Sequence, residues 1–374
     1  MNTAERAQAL TAACQDFQRL LVPASPECFL DWVRLELGHE GALDGFQQIA
    51  GCAELLHAIP APIILHIVSG NTPHAALQTL IRGLLLGSHN VCKLPSSGIP
   101  EAKAFAARLP DSLRSKVEFS TTLPGDWLSR ADAIIVFGSD ETIAHFRALA
   151  LPRQVFIGYG HRVSLAMVFQ DEKFKSVARA AWDASLFDQQ GCLSPHCIYV
   201  SDQPREYAAR LAVEMEGIER KLPRSPLTLS EAAAIAEIRD TTRFRAAIGD
   251  PVHLWASPGS DAWTVIYDSD PAFSPSVLNR VIHVRPMPPD PAAALAPIRA
   301  HLSAIAIWPN IAPHAQTAAA LGASRVCAIG LMQDPPWTWR HDGHPTLAPL
   351  VTWQAWEPGS GMRRIEAPNR TRRS

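Results

Sequence analysis

From residue 61 onward, short apolar runs alternate with stretches whose apolar residues recur every three or four positions. Residues 63–68 form an apolar run, interrupted only by His66 and closed by Ser69-Gly70-Asn71, which predicts a buried strand followed by a turn. Residues 73–86 then place Leu77, Leu80, Ile81, Leu84 and Leu85 on one helical face. The same reading predicts strands at 90–94, 117–120, 133–137, 154–158 and 164–169, and helices at 99–109, 141–150 and 172–187. Beyond residue 192 it predicts a strand at 197–200, helices near 203–217 and 230–248, and strands near 252–255 and 263–267. Late strands follow at 305–308, 325–329 and 350–353, while the proline-rich stretch 271–291 reads as extended chain. Residues 1–58 read as helices broken near Pro23 and Pro26. The chain shows no internal repeat.

Strands that alternate with helices predict an α/β fold of parallel strands joined by right-handed crossovers. Their nearly continuous apolar runs suit strands covered on both faces. In doubly wound sheets, ligands sit where strand C-terminal ends meet helix N-termini. Ser69-Gly70-Asn71-Thr72 and Gly138-Ser139-Asp140 both fall at such corners.

Composition narrows the function classes. The 374 residues allow two domains, and a net charge of −2 provides no global field for nucleic acid. The N-terminus carries Glu5 and Asp16 and lacks an apolar signal core, and no long uninterrupted apolar window predicts a membrane span. Seven cysteines with irregular spacing and no CxxC pair predict reduced thiols in a cytoplasmic protein. The basic tail with Arg363, Arg364, Arg370, Arg372 and Arg373 is either a contact for phosphate or an acidic partner, or a solvated end.

Cys192 is the residue placed for covalent chemistry. It follows a predicted helix, has a glycine directly before it, and opens an apolar strand, so its thiol can face a cleft. Asn71 either caps the helix at 73–86 or donates to an oxyanion, a contact worth about 3–4 kcal/mol in a transition state. Lys93 and Ser96, in Lys93-Leu94-Pro95-Ser96-Ser97, end a strand where a ribose or phosphate can bind, or are ordinary solvated side chains. Gly138 and Ser139 join a strand to a helix whose N–H groups can hold a pyrophosphate, although Asp140 reads equally as a helix cap. His161, in a glycine-flanked turn, either poises the thiol or is satisfied by backbone. His341 and His344 alone make a poor metal set, and no metal is expected.

Taken in order, these turns resemble the aldehyde dehydrogenase superfamily. Its W-N-x-P, K-P-S, G-S, E-L-G-G and G-Q-x-C turns are matched by Asn71-Thr72-Pro73, Lys93-Leu94-Pro95-Ser96, Gly138-Ser139, Gly158-Tyr159-Gly160-His161 and Gln190-Gly191-Cys192. Asp188-Gln189-Gln190-Gly191-Cys192-Leu193-Ser194, together with Asn279-Arg280-Val281-Ile282 and Trp339-Arg340-His341-Asp342-Gly343, is similar to the long-chain acyl-CoA reductases of bacterial luminescence. The likeness covers about residues 60 to 357; residues 1–58 match no named family.

The resemblance implies a nicotinamide-cofactor domain over 59–187, a catalytic domain over 188–345, and a C-terminal strand and tail over 346–374, after a helical segment at 1–58. It implies reduction of an acyl thioester, from CoA or a carrier protein, to an aldehyde through an S-acyl-Cys192 enzyme. Asn71 would hold the oxyanion, His161 would poise the thiol, and Lys93, Ser96, Gly138 and Ser139 would meet the cofactor. The usual water-activating glutamate is missing from the 158–161 turn. NADPH is expected over NADH, because the Lys93–Ser97 turn carries no carboxylate to repel a 2′-phosphate. A homo-oligomer and an acyl-transferring or aldehyde-consuming partner protein are also implied. The competing readings are a non-redox acyltransferase or thioesterase using Cys192, and a non-catalytic partner in a biosynthetic complex.

Overall fold

The computed structural model describes residues 1–68 and 73–358. Asn71 and the basic tail lie outside the described residues. Two large sheets carry the fold. The first has five strands, all parallel, ordered Val117–Ser120, His89–Lys93, Ile63–Ile67, Ala133–Phe137 and Val155–Tyr159. The chain builds outward from the central Ile63–Ile67 to one edge, then crosses back to Ala133–Phe137 and builds to the other. This reversal is the switch point at which doubly wound sheets open a crevice.

The second sheet has seven strands, ordered Val252–Ala256, Thr264–Asp268, Val281–Pro286, Pro195–Val200, Val163–Val168, Leu302–Trp308 and Arg325–Ala328. All its neighbours run parallel except Val252–Ala256 against Thr264–Asp268. Every residue of Val163–Val168 and Pro195–Val200 is buried, which explains their unbroken apolar character. The chain changes sheet at 160–162, between Val155–Tyr159 and Val163–Val168, well before the boundary expected at 187–188.

The helix Pro73–Leu86 starts on a proline, whose fixed φ suits the first turn. Its apolar stripe packs on the five-stranded sheet, with Leu77, Leu80, Ile81, Leu84 and Leu85 fully buried. The approach is close: a Cβ on Gly83 would lie 1.7 Å from Asn90 Oδ1. That same amide oxygen pairs with His66 Nε2 at 3.0 Å, and His66 Nδ1 pairs with Thr79 Oγ1 at 2.8 Å. A buried polar cluster therefore fixes helix against sheet.

Several elements depart from the sequence expectations. Residues 1–58 are not wholly helical: after the helices Thr3–Cys14 and Pro26–Leu37 come the strands Gln47–Gln48 and Leu55–Pro60. Leu55–Pro60 is only half-buried along most of its length, so its apolar signal is weak. It pairs antiparallel with Val351–Trp356, forming a three-stranded sheet with Gln47–Gln48. The stretch 271–291 is not simply extended, because Val281–Pro286 is an interior strand of the seven-stranded sheet. Polar His283 and Arg285 hide it in the sequence, although both are buried. The helix expected over 172–187 is Val177–Ser185, followed by a 3₁₀ turn over Leu186–Gln189. Among the described residues, no helix is long and apolar enough to cross a membrane.

Candidate active site

Cys192 is carried on a strained turn. Phe187, Asp188 and Gln189 all have positive φ, near 51°, 52° and 63°. Three consecutive non-glycine residues in that region persist only when their surroundings hold them there. The surroundings are a second turn of the same kind, Leu278, Asn279 and Arg280, at 63°, 56° and 61°. The two turns grip each other. Arg280 pairs with Asp188 at 2.8 Å, Gln190 Nε2 donates to Asn279 Oδ1 at 2.9 Å, and Gln189 Nε2 donates to the carbonyls of Pro195 and Val281 at 2.7 and 3.0 Å.

After this turn the chain is fixed on its other side. Ser164 Oγ donates to the Cys192 carbonyl at 2.7 Å, and Gln333 Nε2 donates to Ser194 Oγ at 2.8 Å. A Cβ on Gly191 would meet Gln333 Oε1 at 3.3 Å, so only glycine fits here without displacement.

The Cys192 side chain opens onto a cleft. The protein packed around its sulfur pushes the thiol up, to about 12, and the Asp342 carboxylate adds to the rise. Arg162 and the backbone N–H groups of Cys192 and Leu193 act in the opposite sense. Arg162 and Asp342 are themselves paired at 2.7 Å, and Ser303 Oγ donates to Asp342 at 3.2 Å. Sequence reasoning did not single out either residue, although Arg162 adjoins His161 and Asp342 lies in the Trp339–Gly343 segment.

Two cavities meet at this thiol. The larger, about 580 Å³, is lined by Gly138, Ser139, Asp140, Glu141, Gly160, His161, Arg162, Gln190, Gly191 and Cys192, with His196 and Leu278. The structure thus brings four expected site residues, Gly138, Ser139, His161 and Cys192, into one space. His161 is exposed there; its N–H donates to Asp140 Oδ1 at 3.3 Å, and its carbonyl meets His301 Nδ1 at 3.4 Å. Among the described residues, no hydrogen bond joins its ring to Cys192. His196 accepts from the Ser276 N–H at Nδ1, 3.1 Å away, and burial pushes it down to about 4, so it is neutral at neutral pH.

Lys93 and Ser96 do not line either cavity. They lie at the end of His89–Lys93, two strands from Ala133–Phe137 in the sheet order. Lys93 is level with Val136 in the register, two residues before Gly138, so at ~4.8 Å per strand and ~3.3 Å per residue Lys93 and Gly138 stand about 12 Å apart. Ser139 caps the helix Asp140–Leu149 through its side chain, and its hydroxyl holds Glu141 below the usual carboxylate range. Asp140 and Glu141 thus already occupy that helix N-terminus.

The smaller cavity, about 100 Å³, holds His74, Phe137, Tyr159, Trp339 and His341 beside Cys192 and Leu193. Its wall is a stack. Phe137 lies on Tyr159 (4.7 Å between centroids), Tyr159 on His341 (4.1 Å), and His341 on Trp339 (4.6 Å). Burial pushes both His341 and His74 down to about 4, so each is a neutral, aromatic wall element. Among the described residues, no cluster of three or more His, Cys, Asp or Glu side chains is arranged to hold a metal ion.

Comparison with known proteins follows this geometry. The family model described as acyl-CoA reductase (LuxC) matches residues 2–353. Among curated proteins, the long-chain acyl-protein thioester reductase of Aliivibrio fischeri is 22% identical over 274 residues, covering 70% of this chain and 56% of its own. That of Vibrio harveyi is 23% identical over 259 residues, covering 63% and 52%. The chain spans about half the length of these relatives. Among solved structures, an NAD-dependent benzaldehyde dehydrogenase from Corynebacterium glutamicum superposes with a TM-score of 0.60 at 13% identity, over 96% of this chain and 86% of that one. A Mycobacterium tuberculosis aldehyde dehydrogenase complexed with NAD+ gives 0.62 at 15% identity, over 97% and 86%. These two likenesses establish a shared fold.

Proposed function

Because the chain belongs to the acyl-CoA reductase (LuxC) family, we propose that it reduces an acyl thioester to an aldehyde through an S-acyl-Cys192 intermediate, with NADPH as hydride donor. The carrying observation is that Cys192 sits where the two cavities meet, beside Gly160 and Arg162, and is the nucleophile among those three shared residues. One cavity opens to the Gly138–Ser139 corner of the five-stranded sheet; the other is apolar and suits an acyl group. Acyl-CoA and acyl-carrier proteins are both proposed donors, the latter because the curated relatives are named for acyl-protein thioesters.

The chain's own residues carry the thiol chemistry. His161 receives the Cys192 proton, and the thiolate attacks the thioester carbonyl carbon. The oxyanion is met by the N–H of Cys192 and by the Asn71 amide. The carbon–sulfur bond to the donor breaks, His161 returns the proton to the departing thiolate, and the acyl group stays on Cys192. A nicotinamide nucleotide held along the sheet edge by Lys93, Ser96, Gly138 and Ser139 would supply the hydride that converts this acyl carbon to an aldehyde. Cys192 then leaves as thiolate and regains a proton. The fit of that group rests on the 580 Å³ cavity at the C-terminal ends of Ala133–Phe137 and Val155–Tyr159 and on a Lys93–Ser97 turn without carboxylates.

The site disfavours hydrolysis of the acyl-enzyme. Position 158, in the turn where the wider superfamily carries a glutamate, is glycine. Asp342 is tied to Arg162 at 2.7 Å, and Asp140 accepts the His161 N–H at 3.3 Å. Glu141, the other carboxylate lining the larger cavity, is engaged by the Ser139 hydroxyl; with the carboxylates around the thiol tied up in this way, water is poorly activated and the acyl group persists for reduction.

The test is NADPH oxidation against a panel of acyl thioesters, with the acylated peptide located by mass. Aldehyde and free thiol should form together, and Cys192→Ala should abolish both. Thiol release without nicotinamide oxidation would replace this reading with a non-redox acyltransferase or thioesterase. An unreactive Cys192 would favour a non-catalytic partner. His161→Ala acylating at the wild-type rate would remove its role.

A further inference from the structure

The loop Gly330–Gln333 follows the edge strand Arg325–Ala328 and is held by two opposite charges. Asp183, on the helix Val177–Ser185 and 1% exposed, accepts the N–H of Gly330 at 2.6 Å and that of Met332 at 3.1 Å. Arg325 donates to the carbonyls of Met332 and Leu331 at 2.6 and 2.7 Å, and to that of Asp334 at 3.3 Å. A carboxylate thus takes the loop's N–H groups and a guanidinium its carbonyls. The fit is close. Gly330 has φ near 95°, and a Cβ there would lie 2.9 Å from Arg179 Cβ, one turn before Asp183 on the same helix.

A buried carboxylate is costly unless hydrogen bonds satisfy it. Burial raises the Asp183 carboxyl to about 7 and Asp334 adds to the rise, while the Gly330 and Met332 N–H groups and Arg325 oppose it. Among the described residues, the hydrogen bonds of Asp183 both go to this loop.

The loop ends on Gln333, which reaches the turn of the nucleophile. Its Nε2 donates to Ser194 Oγ at 2.8 Å, and a Cβ on Gly191 would meet its Oε1 at 3.3 Å. Gly191 and Ser194 are the first and last residues of a β-turn, closed by the Ser194 N–H on the Gly191 carbonyl at 2.9 Å. The two residues between them are Cys192 and Leu193, whose N–H groups act on the thiol. Gln333 therefore braces both feet of the turn that presents the sulfur. Asp183 stands on the helix that leads into the same turn, so the segment from Asp183 to Ser194 is tied at both ends to one short loop.

Resting on the thioester-reductase reading, we propose that Gly330–Gln333 is a clasp that sets the position of Cys192, and that Asp183 and Gln333 are its positioning residues. Neither has to touch the acyl group. Asp183 fixes the loop, the loop fixes the Gln333 amide, and the amide holds the turn at Gly191 and Ser194, so that the N–H groups of Cys192 and Leu193 keep their aim on the sulfur. A small displacement of an attacking atom slows bond formation without weakening the binding of the thioester.

The experiment uses the full chain with Asp183→Asn, Gln333→Met and the double variant, at pH 8.5, where Asp183 is a carboxylate. Acylation of Cys192 by hexadecanoyl-CoA is followed by mass, and alkylation by iodoacetamide is followed in parallel without any thioester. Each single variant should acylate about tenfold more slowly at saturation, with a half-saturating concentration within about twofold of wild type. Alkylation should slow as well. The double variant should be no slower than Gln333→Met, because Asp183 acts through Gln333, whereas losses from two independent structural sites would multiply. Wild-type acylation in Gln333→Met, multiplied losses in the double variant, or a loss confined to half-saturation overturns the proposal. Where Asp183→Asn does not fold, Gln333→Met decides: alkylation at the wild-type rate overturns the clasp, and slowed alkylation sustains it. Failure of every thioester to acylate the wild-type Cys192 overturns the reductase reading, while the alkylation rates still test the clasp.

Discussion

Arg280 reaches Asp188 at 2.8 Å from one left-handed turn to another, and so ties the loop that carries Cys192 to the seven-stranded sheet. Arg280 is 2% exposed and has a second partner in Glu219 at 2.7 Å. Arg280→Met leaves two carboxylates without their cation, and should cost about 3–5 kcal/mol in denaturant unfolding. Asp188→Asn leaves Arg280 paired with Glu219 and should cost less. Its acylation rate should nevertheless fall, because the Cys192 turn loses its clamp. An Arg280→Met protein as stable as wild type would show that the two turns hold themselves.

The thiol should respond to its charged neighbours with a definite sign. Asp342 raises the Cys192 thiol and Arg162 lowers it. Asp342→Asn should therefore speed alkylation by iodoacetamide at pH 8, and Arg162→Gln should slow it. With the thiol near 12, wild-type alkylation should keep rising across pH 7 to 10 without a plateau. A plateau near pH 8 would mean that the thiol is not raised.

Acid should unfold this protein through its buried histidines. Burial pushes His66, His74, His196, His283 and His341 from 6.5 down to about 4. In the unfolded chain each takes up a proton near 6.5, while the folded site resists until about 4. The stability they provide is thus present above pH 6.5 and lost as pH falls toward 4, at up to about 1.4 kcal/mol per pH unit for each histidine. Urea midpoints measured from pH 7.5 to 4.5 should drop steeply below 6.5. His66→Gln should flatten part of that drop, and an unchanged slope would remove His66 from the group.

Gly83→Ala drives a methyl group to within 1.7 Å of Asn90 Oδ1 and displaces the partner of His66. The expected loss is about 3 kcal/mol. Asn90→Ala added to it should recover part of the loss by vacating the space, seen as a positive coupling in a double-mutant cycle.

Glu36 should hold the N-terminal helices to the far end of the chain. Its carboxylate accepts from the N–H groups of Thr346, Leu347 and Ala348 and from Thr346 Oγ1, at 2.5 to 3.0 Å. Glu36→Ala strands those donors, and should cost about 2–4 kcal/mol by thermal or urea unfolding. A loss below about 0.5 kcal/mol would show that water replaces the carboxylate.

The longer strands and helices from Ile63 to Phe137 were legible because they bury apolar faces with their own period, whereas the one-turn helices Asp111–Arg114 and Trp127–Arg130 are too short to show one. The Cys192 turn was legible because glycine, thiol and strand stand next to one another in the chain. Leu55–Pro60 was not, since its pairing partner Val351–Trp356 is distant in sequence and neither strand is strongly buried. Asp183, Arg162 and Asp342 were also hidden. Each is a single charge with no periodic signature, and its meaning depends on what the folded chain places, or does not place, around it. The paired segments Asp188–Gln190 and Asn279–Val281 carried a resemblance whose reason only the structure shows: each is the other's hydrogen-bonding partner.

The pairing of Leu55–Pro60 with Val351–Trp356 also sets a clock on biogenesis. A ribosome adds ~5–20 residues per second, so the early strand waits roughly 15 to 60 s for its mate to be synthesised. Throughout that interval Trp32 and Phe29 lack Trp337, their later aromatic neighbour at 6.2 and 5.0 Å. The N-terminal helices of the nascent chain therefore lack that aromatic cover until residue 337 has been synthesised, the period in which a chaperone has the most to bind.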